Sequence, residues 1–67
     1  MNFKELTKKV ADGGKLSASE SQDAFNAILS GDTSPVLTAA FLASLHQRGE
    51  TSDEVLGAVR ALRIRMT

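Results

Sequence analysis

His46 is the only imidazole in the chain, and there is no cysteine to accompany it. Nucleophilic or acid–base catalysis needs a nucleophile within hydrogen-bond reach of its base and a third group to orient that base. No such set can be built around His46, which falls late in an uncharged stretch. Its place reads as a partly exposed residue near a helix C-terminus, where a cation is mildly favoured. The carboxylates Glu50, Asp53 and Glu54 crowd one turn. A hard cation would also need oxygen ligands converging from elsewhere. Negative charge at a helix start, facing the positive end of the dipole, accounts for all three. Arg60, Arg63 and Arg65 have the chemistry to hold phosphate, but 100° steps spread them around a helix and make them solvated helix-end cations. Gly13-Gly14 lacks the spaced glycines of a phosphate-binding loop and reads as a turn. No catalytic, cofactor-binding or metal-ligating residue is assigned within this chain.

The remaining residues must then position a surface. At 67 residues the sequence allows one helical domain, 1–67, with a thin core. Small chains close their stability gap with disulfides, metals or partners, and with no Cys and one His the first two are missing. A partner surface is the device that is left. Eight Lys+Arg balance eight Asp+Glu. This excludes a basic field for nucleic acid and a polybasic patch for an anionic membrane. Three Phe, with no Trp or Tyr, are too few for a base-stacking platform. No apolar run approaches roughly 18 residues, and the Met-Asn-Phe-Lys-Glu start is not a signal peptide. Cytoplasm is the expected compartment.

Local punctuation predicts an all-α domain, a small bundle of four short helices over about 3–12, 18–30, 35–48 and 52–66. Phe3, Leu6 and Val10 recur at helical spacing until Gly13-Gly14 stops the run. Ser17 and Glu20, then Thr51 and Glu54, have the spacing of a capping box. Ser34-Pro35 places an N-cap before a proline at the first helical position. Gly31 and Gly49 end the second and third helices. Ala24, Phe25, Ile28 and Leu29 form the apolar face of the second. In the fourth, Val55, Val59, Leu62 and Met66 make the stripe, and such a stripe ordinarily faces the core. No segment alternates with period two, so no strand is expected.

The third helix carries no charged residue from Thr33 through Gln47, although a one-sided surface helix has a charged outer face. Leu37, Phe41, Leu42 and Leu45 make one bulky side; Val36, Ala39, Ala40 and Ala43 make a small one that admits close approach of another helix. That helix could belong to the same bundle or to a second subunit. Candidate interface residues are Phe3, Leu6, Val10, Val36, Ala39, Ala40 and Ala43. Ile64 lies opposite the fourth helix's stripe, and the sequence runs out three residues later with no Gly, Pro or polar tail. It is therefore expected to be the N-terminal fragment of a longer two-domain enzyme, with Ile64 a contact to the missing domain.

The run from Ala40-Phe41-Leu42 through Arg48-Gly49-Glu50-Thr51 to Gly57-Ala58-Val59-Arg60-Ala61-Leu62-Arg63 resembles the N-terminal helical domain of anthranilate phosphoribosyltransferases. Gly14-Lys15-Leu16-Ser17 and Ala27-Ile28-Leu29-Ser30-Gly31-Asp32-Thr33-Ser34-Pro35 match as well, so the likeness covers nearly the whole chain. Pyrimidine nucleoside phosphorylases share this helical domain, but Gly49-Glu50-Thr51 is more similar to the anthranilate enzymes. Leu37 and Ala43 depart from the family's usual Gln and Met. The resemblance implies a parent that transfers phosphoribosyl from phosphoribosyl pyrophosphate, taken with magnesium, to anthranilate in tryptophan biosynthesis. It also implies that the glycine-rich loop and the anthranilate pocket lie beyond residue 67, so no catalytic residue carries over. Within such an enzyme the helical domain would supply homodimer contacts and a wall of the interdomain cleft. The alternative from another class is a free-standing adaptor that binds a partner's amphipathic helix beside the third helix.

Overall fold

In a computed structural model, which describes residues 2–66, the chain forms four α-helices and, among those residues, no strand. They are α1 (Phe3–Ala11), α2 (Ala18–Leu29), α3 (Pro35–Arg48) and α4 (Ser52–Arg65). The expected starts all stand. Three ends fall one residue earlier than expected, because Asp12, Ser30 and Met66 serve as C-caps.

Each helix start is fixed by a side chain within three residues of it. Ser17 and Thr51 accept from the Glu20 and Glu54 amides, while those carboxylates accept from the Ser17 and Thr51 amides at 2.9 Å. Both are complete capping boxes. Ser34 Oγ accepts from the Leu37 amide at 3.1 Å, ahead of Pro35. Asn2, which the sequence reading did not single out, caps α1 through the Glu5 amide at 2.9 Å. The stop at Gly49 has φ 91°, a backbone that a side chain would strain.

The helices pair out of sequence order. α2 packs chiefly on α4 and α1 on α3, with a smaller α1–α2 contact between the pairs. Leu6, Val10, Leu16, Ala24, Phe41 and Leu45 fill the core, flanked by Phe3, Phe25 and Ile28. Phe41 is its hub: Phe3 lies 5.1 Å away and Phe25 meets it edge-on at 5.8 Å and 71°, the tilted geometries aromatic quadrupoles favour.

Two expectations need correction here. Leu6 and Val10, offered as contacts to a second copy, are each 2% exposed inside the chain's own core. α1 is thin and has one apolar face, and α3 covers it. The stripe Val55, Val59, Leu62 and Met66 does not face the core either. α4 buries Glu54, Gly57 and Ala61 instead, against Ser21 and Ala24 of α2. A Cβ built on Gly57 would fall inside contact distance of the Ala18 carbonyl oxygen, 2.6 Å from Ser21 Cβ and 2.7 Å from the Gln22 amide. The two backbones approach as closely as they do because that position has no side chain.

Candidate interaction surface

The rotation of α4 leaves its bulky flank outside. Val55, Val59 and Leu62 are 51%, 41% and 50% exposed. Phe25 from α2 and Leu45 from α3 join them with Ala58, Glu50 and Glu54 to line an apolar groove of about 130 Å³. The groove lies where the two helix pairs meet, since α3 and α4 are adjacent in sequence but make little direct contact. An apolar side chain from a partner is what such a groove accepts.

A second uncovered surface lies on α3. Phe41 and Leu45 point into the core, while Val36 is 79% exposed and Ala39, Ala40 and Ala43 are exposed beside it. This helix has no charge on its outer side until Arg48. Of the other residues named as interface candidates, Phe3 is half-buried against Phe41, and Ile64 is 57% exposed on α4. The structure thus separates the predicted set. The α3 members form an open face, and Leu6 and Val10 belong to the core.

Beneath the groove sits a polar cluster of which the sequence showed only the capping half. Glu54 is 1% exposed. Its Oε1 accepts from the Thr51 amide at 2.9 Å, and its Oε2 from the Leu16 amide at 2.8 Å and from a close Arg48 guanidinium N–H. Its own carbonyl accepts from Ser21 Oγ at 2.7 Å. One residue therefore ties α4 to α2, to the end of α3 and to the loop before α2. Burial by itself would raise the Glu54 pKa; the Arg48 hydrogen bond and the Thr51 and Leu16 amides outweigh it and hold it at about 2. A Glu at the third helical position signals a capping box, but nothing local signals that Leu16, thirty-eight residues away, will donate to it.

The remaining polar candidates are surface groups. His46, Glu50, Asp53, Arg60 and Arg63 are exposed. Arg65, expected to be only solvated, instead donates to the Asn26 carbonyl at 2.9 Å and to Ser30 Oγ at 2.6 Å. There it meets the negative end of α2. Lys9 and Glu20 pair at 3.1 Å, and the Ser17 amide together with Lys9 lowers the Glu20 pKa. Among the described residues no three His, Cys, Asp or Glu side chains converge as a metal site. No helix there is long and apolar enough to cross a membrane.

The described residues thus form a small helical bundle with side-chain-capped helix starts, one buried polar cluster and two apolar faces left open. The family model for the helical bundle domain of the glycosyl transferase family matches residues 4–66, and the chain belongs to that family. Its curated relatives include the anthranilate phosphoribosyltransferase of Rhodopseudomonas palustris (strain TIE-1), 46% identical over 66 residues, covering 98% of this chain and 20% of the relative. The enzyme of the same name from Methylorubrum populi is 45% identical over 64 residues, 96% of this chain and 19% of its own. That from Beijerinckia indica is 42% identical over a similar span. The chain thus spans about a fifth of the length of these relatives. No solved structure matches it.

Proposed function

We propose that this chain is the N-terminal helical domain of an anthranilate phosphoribosyltransferase. The observation that carries the reading is the alignment of 98% of the chain, at 46% identity, with enzymes of that name. In the parent protein the reaction moves a phosphoribosyl group from phosphoribosyl pyrophosphate to the amine of anthranilate, a step of tryptophan biosynthesis in the cytoplasm. The residues that would hold phosphoribosyl pyrophosphate and its magnesium belong to the rest of the parent. The helical domain contributes surfaces. The test is a phosphoribosyl-transfer assay on the parent protein and on the 67-residue chain alone. Turnover on anthranilate by the parent and none by the isolated chain is the expected pair. Activity of the isolated chain, or a parent that cleaves pyrimidine nucleosides and ignores anthranilate, would overturn the reading.

The α3 face of Val36, Ala39, Ala40 and Ala43 is the proposed contact with a second copy, and the α4 side that includes Ile64 is the proposed contact with the rest of the parent chain. Interface centres are poor in charge, and small side chains let helices approach closely. Ala40→Glu puts a charge on the face without disturbing this chain's core, because Ala40 is exposed. Burying that charge in a dimer should weaken association by at least about ten-fold, a loss of about 1.4 kcal/mol, while folding stays unchanged. An unaltered mass distribution in sedimentation would exclude this face.

A further inference from the structure

α4 is held mainly by parts of the chain remote from it in sequence. It packs chiefly on α2 and makes little direct contact with α3, the helix that leads into it. Gly57 lies against the α2 backbone at Ala18 and Gln22. Hydrogen bonds follow the same division. Leu16 N–H reaches Glu54 Oε2 at 2.8 Å, Ser21 Oγ reaches the Glu54 carbonyl at 2.7 Å, and Arg65 donates to the Asn26 carbonyl at 2.9 Å and to Ser30 Oγ at 2.6 Å. From α3, Arg48 donates to Glu54 Oε2. The seat of α4 is therefore built by α2, the loop before it and the end of α3.

Only Gly49, Glu50 and Thr51 join α3 to α4. Gly49 takes φ 91° and ψ 120°, a backbone that residues with a side chain rarely adopt. A Cβ built there meets nothing within 4 Å, so backbone conformation, not crowding, is what opposes a side chain. Nothing in the seat requires the α4 that fills it to belong to the same chain. If the joint straightens, α4 leaves its own α2, and the α4 of a second copy restores the same packing and the same hydrogen bonds, with Arg48 then paired to Glu54 across chains. The two arrangements differ in the joint and in the entropy of association. Exchange of this kind is a low-cost route to a dimer, and a short hinge invites it.

We infer that α4 is an exchangeable element, that the occupant of a vacated seat is the α4 of a second copy, and that Gly49 is the residue that keeps the chain closed on itself. Such a dimer is distinct from one made through the α3 face, and it depends on no particular reaction of the parent.

Gly49→Ala penalises the closed turn and favours a straight helical joint. Each exchanged dimer relieves two joints, so the dimer dissociation constant read by sedimentation should fall by at least about ten-fold relative to the unaltered chain. Mass does not tell which surfaces pair. An equimolar mixture of isotope-labelled and unlabelled Gly49→Ala chains, unfolded and refolded together, does: isotope-filtered NOEs between Gly57 and Ser21 should cross from one chain to the other. Deletion of Glu50, which shortens the joint, should act in the same direction. An unchanged dissociation constant in both variants, or dimers whose Gly57 to Ser21 contacts stay within one chain, would overturn the inference. Loss of helical structure in both would overturn it as well, because an exchanged dimer needs no left-handed joint and would keep the chain folded.

Discussion

Replacing Gly57 with alanine sets two effects of opposite sign against each other. Alanine in a helix interior is favoured over glycine by about 1 kcal/mol, and Gly57 lies in the middle of α4. Against this stands the new methyl group. It would lie 2.6 Å from Ser21 Cβ and 2.7 Å from the Gln22 amide, and closer still to the Ala18 carbonyl oxygen. Two of these three atoms are α2 backbone and cannot rotate away. Ordinary contact begins near about 3.5 Å, so the helices must part by roughly 1 Å. Overpacking of this kind costs about 1–3 kcal/mol. Parting the helices also stretches the 2.7 Å bond from Ser21 Oγ to the Glu54 carbonyl, worth about 1 kcal/mol. The net expectation is a loss of about 1–3 kcal/mol, from a total that for this size is roughly 3–10 kcal/mol. Thermal unfolding followed by circular dichroism should show Tm lower by roughly 5–20 °C. An unchanged or higher Tm would mean that helix propensity wins and that the α2–α4 approach is not as tight as described.

Acid should act through Glu54. Its pKa is about 2 in the folded chain against an ordinary 4.5, so the unfolded chain binds the proton more readily. The stabilisation is complete above about pH 4.5 and drains away as pH falls toward 2, with an upper bound of about 3 kcal/mol. Glu54→Gln should flatten that part of the stability–pH curve, and an unflattened curve would show that other carboxylates carry it. Thr51→Ala removes a hydroxyl cap and should cost about 1 kcal/mol in urea unfolding, as should Ser17→Ala at α2. Asp53→Asn, which touches only an exposed group, should stay within about 0.5 kcal/mol of the parent. Equal losses for Thr51→Ala and Asp53→Asn would argue that dipole charge, not capping, starts α4.

The helices and their starts are legible in the sequence because their causes are local. Ser17 with Glu20, Ser34 with Pro35, and Thr51 with Glu54 act across three residues or fewer, and the glycines that stop helices need no distant partner. The uncharged third helix was legible for the same reason: a missing charge is a property of composition, and it marked the face that the fold leaves open. What the tertiary structure decided is which side of each helix is inside. Periodicity marked one stripe on α4, Val55, Val59, Leu62 and Met66, while the fold buries Glu54, Gly57 and Ala61. Leu6 and Val10 looked like spare apolar surface and became core once α3 lay across α1. Both outcomes depend on groups far apart in the chain, such as the Leu16 amide meeting the Glu54 carboxylate across thirty-eight residues. A buried donor without a partner is too unfavourable to leave, so the fold must bring the Leu16 amide to an acceptor, and the one it meets is remote in sequence.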